Sequence, residues 1–205
     1  LTVRRNKMNG IELYYPKAES IVPDTREALR YIGVSPNAPD VQLLSAVENV
    51  KSEIVRAAKY AACYSAVDCV CLDGGILLGE LSIQSKALEK NLRGCSSAYI
   101  FAATSGAEID RLISREMVKS SVRGLIADSL GSAAIEAFCN DLNRKLSGNL
   151  KTHPRFSPGY GDFDIGFQRN LIQLLDARRK IGLSLTDSCM MTPTKSVTAV
   201  IGIEA

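Results

Sequence analysis

Few residues in this chain could do chemistry, and their types narrow the choice. The only histidine, His153, stands in Lys151-Thr152-His153-Pro154-Arg155. Zinc hydrolase sites and serine or thiol triads need a histidine in a fixed place, with further ligands or partners around it. One histidine completes no such constellation. The stretch Arg155-Phe156-Ser157-Pro158-Gly159-Tyr160-Gly161-Asp162-Phe163 is different in kind. Within nine residues it offers a guanidinium, aromatic faces, backbone amides and a carboxylate, on a loop stiffened by Pro and bent by Gly. That is the equipment of a ligand-binding loop.

Other features allow two readings each. Cys69 and Cys71 lie two apart in Val67-Asp68-Cys69-Val70-Cys71-Leu72. On a strand they share a face, which suits either a soft metal or simple packing, and no second pair is present to complete a metal site. Thr104-Ser105-Gly106-Ala107-Glu108 joins a strand to a helix through small residues. Its first-turn amides lack partners, so it is either an anion site or a plain connection. Asp128, Ser132, Glu136 and Asn140 recur at every fourth position and form a polar stripe along one helix. Such a stripe is ordinarily a solvated face.

These residues need elements to hold them. Asp24-Thr25-Arg26-Glu27 reads as a capping box opening a short helix that ends at Gly33, and Asp40 caps a longer one with apolar residues at three and four from Leu43 to Ala61. Val67 to Leu78 reads as a hairpin closed by Asp73-Gly74-Gly75. A helix from Ser85 to Leu92 stops at Gly94, and Ala98 to Ala103 is a buried strand. Ala107 to Leu146 is helical, with a break expected near Arg115. Gln168 to Asp176 is a helix, Arg178-Arg179-Lys180 follows at its end, and strands are expected near Ile181–Thr186 and over Ser196–Ile201. No segment repeats.

Composition sets the outer bounds. The 205 residues are 46% hydrophobic and 23% charged, which excludes a disordered chain. At roughly 150 residues per domain, this length predicts a single domain, burying about 70% of its unfolded surface. The expected fold class is α+β, a largely antiparallel twisted sheet flanked by helices, with a helical N-terminal part over about 1–65. The net charge of +3 is scattered rather than gathered in a basic stripe, so no nucleic-acid partner is expected. No apolar run is long enough for a membrane span and the start is too polar for a signal peptide, so a cytoplasmic location is expected. The six cysteines show no regular spacing and read as reduced thiols.

The order of several C-terminal motifs is specific. Arg155-x-x-Pro158-Gly159-Tyr160, Leu174-Leu175, Gly182-Leu183-x-Leu185-Thr186-Asp187-Ser188 and Met191-x-Pro193-x-x-Ser196-Val197, with Ala127-Asp128 and Glu136-Ala137-Phe138 upstream, span roughly residues 95–203. This set resembles the activation domain of cobalamin-dependent methionine synthase. The resemblance implies a module that binds S-adenosylmethionine and supports reductive methylation of cob(II)alamin. Its partners would be the cobalamin-binding module of methionine synthase, or a related corrinoid protein, and a flavodoxin-type electron donor. Cobalamin enters only through the partner, because the chain lacks the Asp-x-His-x-x-Gly motif of base-off cobalamin modules. The implied ligand contacts are Arg155, Phe156, Ser157, Pro158, Gly159, Tyr160 and Glu136. Arg155 would take the amino-acid carboxylate bidentately, and Glu136 the α-ammonium or sulfonium charge.

Three functions compete on these grounds. The first is a stand-alone reactivation module, a component of methionine synthase rather than an enzyme on its own, with no catalytic or metal-binding residue. The second is a docking protein for a corrinoid methyltransferase that has lost S-adenosylmethionine binding. The third, an ordinary methyltransferase, is disfavoured because no Gly-x-Gly-x-Gly turn follows an early strand.

Overall fold

The structure is a computed structural model and describes residues 10–35 and 40–204. Its elements, in chain order, are β1 (Glu12–Tyr14), α1 (Thr25–Tyr31), α2 (Val41–Ala57), β2 (Ala61–Leu72), β3 (Gly75–Leu78), β4 (Leu81–Ile83), α3 (Lys86–Asn91), β5 (Cys95–Thr104), α4 (Ala107–Lys119), α5 (Ser121–Ser147), α6 (Gln168–Leu174), α7 (Ala177–Ile181), β6 (Ser184–Leu185), β7 (Met191–Thr192) and β8 (Ser196–Glu204). The fold is α+β. The main sheet runs β4-β3-β2-β5-β8 with β1 also paired to β2, every pairing is antiparallel, and β6-β7 forms a separate small ribbon.

Period-two alternation splits the sheet into two buried faces. On β5, Phe101 and Ala103 face one side with Ala62, Tyr64, Ala199 and Ile201, under α1, α2, α4 and α5. Ala98, Ile100 and Ala102 face the other side with Cys63, Val67 and Val200, under α3, α6 and α7. A strand apolar on both faces is what a sheet covered on both sides demands.

Helix starts follow local capping chemistry. Asp24 accepts from the Arg26 amide at 2.8 Å, Asp40 from Gln42 at 2.9 Å and Ser85 from Leu88 at 3.0 Å. Several boundaries differ from the sequence reading. The helix expected over Gln168–Asp176 stops at Leu174, because Asp176 turns left-handed, and Arg178-Arg179-Lys180 with Ile181 fall in the separate helix α7, leaving only Ser184–Leu185 as strand. The long helical stretch breaks at Ser120, not near Arg115, because Ser120 turns extended and caps α5. The helix α2 stops at Ala57, and Ala61 already belongs to β2. The N-terminal part carries the strand β1 besides its helices. Cys69 is buried and Cys71 exposed, although they stand two apart on one face, because burial along β2 ends at Cys69 and its last three residues are exposed.

At the far edge of the sheet, residues 151–156 lie along β8. The Phe156 amide donates to the Val200 carbonyl at 2.8 Å, the Val200 amide returns to Phe156 at 2.9 Å, His153 donates to Gly202 at 2.9 Å and Glu204 to Lys151 at 3.0 Å. This irregular added strand carries Arg155 to α5.

Candidate functional site

The site is built where the added strand meets α5. Phe156 packs into the layer under α3 and α6, and its neighbour Arg155 points the opposite way, towards α5. There the Arg155 guanidinium pairs with the Glu136 carboxylate and donates to Asn140 Oδ1 at 2.7 Å. The polar stripe is thus not simply a solvated face. Its other half is occupied by Lys195, whose ammonium lies 2.8 Å from Asp128 Oδ1 and 3.0 Å from Ser132 Oγ. Two cations from two C-terminal segments sit two turns apart on α5, about 12 Å along its axis.

Both ion pairs are half-shielded: the Arg155 side chain is 19% exposed and that of Lys195 13%. Cys139 lies behind Arg155, and burial pushes its thiol up to about 12, the arginine opposing that shift. Beside Asn140 opens a cleft of about 350 Å³ between α5 and the segment leading into α1, with Ala133, Ala137, Asp24 and Glu27 on its walls.

The loop itself is held from several sides. Asp162 caps α3, accepting from Ser85 Oγ at 2.6 Å and from the amides of Lys86 at 2.9 Å and Ala87 at 3.0 Å, and these bonds hold its carboxyl below the usual aspartate value. Gly161, at φ +56°, leaves no room for a side chain because a Cβ there would stand 2.8 Å from Ala87 Cβ. Phe156 meets Tyr160 edge-on at 5.8 Å and Phe163 face-on at 6.4 Å, while Tyr160 keeps 56% of its surface exposed. His153 is structural here. Its ring bonds the Asn91 carbonyl and, at 3.1 Å, Glu204, tying the added strand to α3 and to β8.

The structure therefore brings Arg155 and Glu136 into contact and sets Phe156 edge-on to Tyr160 on either side of Ser157, Pro158 and Gly159. It also occupies four of the loop amides. Phe156 N is taken by Val200, Gly159 N donates to Phe163 at 2.7 Å, Tyr160 N to Ser157 at 3.1 Å and Phe163 N to Tyr160 at 2.9 Å, so none of these is free for a ligand in this conformation. Sequence reasoning missed Asn140 and Lys195 as partners in the site. The fourfold spacing of the stripe was the available signal, but only the fold shows which cations reach it.

The family model for the activation domain of vitamin B12 dependent methionine synthase matches residues 98–204, just over half of the chain. The chain belongs to that family. The match covers the segments that build the site, from β5 through α5 and the loop to β8. The crystal structure of the MetH reactivation domain bound to AdoHcy has the same fold, with a TM-score of 0.72 and 14% identity, covering 94% of this chain and 78% of that one. No curated protein sequence matches the chain. Within this activation-domain fold, none of the described helices is long and apolar enough to cross a membrane.

Proposed function

We propose that the chain is an S-adenosylmethionine-binding reactivation module, serving in trans the cobalamin-carrying module of a methionine synthase or a related corrinoid protein, in the cytoplasm, with a flavodoxin-type donor providing the electron. The observation that carries this reading is the Arg155–Glu136 pair, whose partner Asn140 also lines the α5 cleft. A guanidinium and a carboxylate side by side complement the two ends of an α-amino-acid zwitterion, so the residues present fit the ligand's head group. When bound, S-adenosylmethionine supplies an electrophilic methyl group on a sulfonium centre.

In this reading Arg155 binds the ligand carboxylate through its planar fork, and Glu136 faces the positive charges. Asn140 keeps the guanidinium oriented. Tyr160 offers an exposed ring beside Phe156, and Ser157, Pro158 and Gly159 shape the turn between them. Entry of the ligand exchanges the Arg155–Glu136 contact for two contacts of the same kind, so little charge is left unpaired at any point.

One observation favours the second reading, a docking module for a corrinoid methyltransferase without ligand binding: the Arg155 fork is already filled by Glu136 and Asn140. Calorimetry with S-adenosylmethionine on wild type, Arg155→Ala and Arg155→Lys separates the two. A charge-assisted bidentate contact is worth about 2 to 3 kcal/mol, or about 30- to 150-fold in affinity. We expect that loss in Arg155→Ala and partial recovery in Arg155→Lys, with circular dichroism unchanged. No binding by wild type at millimolar ligand, or equal affinity in all three, leaves the docking module as the function.

A further inference from the structure

We propose that His153 is the positioning residue for Arg155, acting in its doubly protonated form, so that the hold on Arg155 weakens as the ring loses its second proton. The added strand is irregular at the place that matters. Thr152 bridges Ile203 and Phe156 bridges Val200, four steps along the added strand against three along β8, so one extra residue lies between the bridges. Such a bulge re-aims a side chain. Here Phe156 and the His153 ring turn towards the α3 side, and Arg155 turns to α5.

His153 fixes one end of that bulge. Its amide donates to Gly202 O at 2.9 Å, and its ring lies between two acceptors: Nδ1 meets the Asn91 carbonyl at the end of α3, and Nε2 stands 3.1 Å from Glu204 Oε1. A carbonyl and a carboxylate only accept, so each bond takes an N–H from the ring. A neutral imidazole carries one N–H and an imidazolium two. Only the imidazolium makes both bonds. Asn91 also donates its side-chain amide to Pro154 O at 3.3 Å, so the end of α3 grips residues 153 and 154 together. The ring is partly open to water, at 20% exposure, and can exchange its protons without unfolding.

The other groups around the ring keep their charge states near neutrality. Glu204 of β8 is held below the usual glutamate value by the hydrogen bond from Lys151 and then by that from His153, so it remains a carboxylate. Lys151, on the added strand, is its ion-pair partner at 2.7 Å. The Cys95 thiol of β5 is pushed up by burial, with Glu204 and Cys71 adding to it, and stays neutral. On α3, Glu89 and Arg93 pair with each other at 3.4 Å. Histidine is the side chain whose charge ordinarily changes between about pH 5 and 8. When that proton leaves, one of the two ring bonds is lost, the bulge relaxes, and Arg155 is no longer aimed at Glu136 and Asn140.

The inference deepens the S-adenosylmethionine reading and rests on it only where ligand affinity is measured. The test is a pH titration of the untagged ¹⁵N-labelled chain from pH 5 upward until the ring is neutral. His153 is the only histidine, so the imidazole signals report its protonation directly. As the second proton is lost, the hydrogen-exchange protection factors of the Phe156 and Val200 amides should fall about tenfold, with the Arg155 Nε–H signal shifting in parallel. In His153→Gln, which cannot reach both acceptors, protection should be low and flat over the same range. Calorimetry with S-adenosylmethionine should find wild type about tenfold tighter than His153→Gln while the ring is protonated, and nearly equal to it once the ring is neutral. Titration of the ligand itself is common to both proteins and cancels in the ratio. A ring already neutral at pH 5, protection that stays level while the ring deprotonates, or an affinity ratio that does not change with pH overturns the inference. The first two outcomes need no variant, so they hold even where His153→Gln fails to fold. If wild type binds no ligand at millimolar concentration while the strand and Arg155 still follow the His153 titration, the S-adenosylmethionine reading falls and the positioning role stands.

Discussion

Lys195, just before β8, and Asp128, two turns above Glu136 on α5, form an ion pair of 2.8 Å that sits in line with the Arg155–Glu136 pair. The two pairs fasten the C-terminal segments to one helix at two heights.

Replacing Lys195 tests that fastening. Lys195→Ala removes a 13%-exposed side chain together with its charge, leaving Asp128 and Ser132 without their donor. A loss of about 1 to 2 kcal/mol in urea denaturation is expected. Lys195→Met keeps the packed stem and should lose less. The double variant Lys195→Met/Asp128→Asn should be less destabilised than the sum of the singles, since the pair is lost only once.

A second ion cluster sets the behaviour in acid. Glu116 is fully buried at the corner between α4 and α5, with Lys119 at 2.7 Å, Arg123 at 2.6 Å and Arg115 at 3.6 Å. The hydrogen bond from Lys119, with Arg123 adding to it and burial opposing, holds its carboxyl at about 2. The folded value is below the unfolded one, so the stability it contributes is full above the ordinary glutamate range and is lost as pH falls from there towards about 2. Glu116→Gln should flatten this part of the stability–pH curve, measured by urea midpoints between neutral and acid pH. At pH 7 it should cost on the order of 2 kcal/mol.

Thiol reactivity should follow burial. Cys71 is exposed and Cys189 half-buried, whereas Cys63, Cys69, Cys95 and Cys139 are buried, and burial pushes the thiols of Cys63, Cys69 and Cys139 up to about 12. Alkylation of the native protein followed by peptide mass spectrometry should label Cys71 first and Cys189 next, with the other four protected until denaturation. Early labelling of Cys69 would contradict the burial of the inner half of β2.

Gly202 on β8 is a packing prediction. A Cβ at this position would stand 2.5 Å from Cys95 Sγ and 2.7 Å from Leu92 Cδ2. Gly202→Ala should cost about 1 to 3 kcal/mol by overpacking. Adding Cys95→Ala should return part of that loss, although Cys95→Ala alone destabilises; additive losses in the double variant would show that the crowding is relieved elsewhere.

Much of the framework could be read from local signals because the sequence writes them locally: Asp24, Asp40 and Ser85 cap helices, and Ala98 to Ala103 is a buried strand. The start of β2 was not legible, since Ala57, Ala58 and Ala61 continue a helical period, and only pairing with β1 and β5 makes Ala61–Tyr64 extended. The Ser120 break had a capping serine as its signal, outweighed by continuous helical patterning on both sides. At the site, the family motif marked Arg155 and Glu136. That they meet each other, and that Lys195 shares their helix face, follows from residues 151–156 adding to β8, a tertiary event with no local signature.

That added strand has a consequence beyond placing Arg155. Its four backbone bonds close the outer edge of β8, which would otherwise present a row of unpaired donors and acceptors to any other chain. The segment that aims Arg155 at α5 is therefore also the sheet's guard against self-association. Variants that release it should lose the anchor and begin to aggregate together, and a binding defect found in such a variant would need its solution behaviour measured before it was assigned to lost contacts.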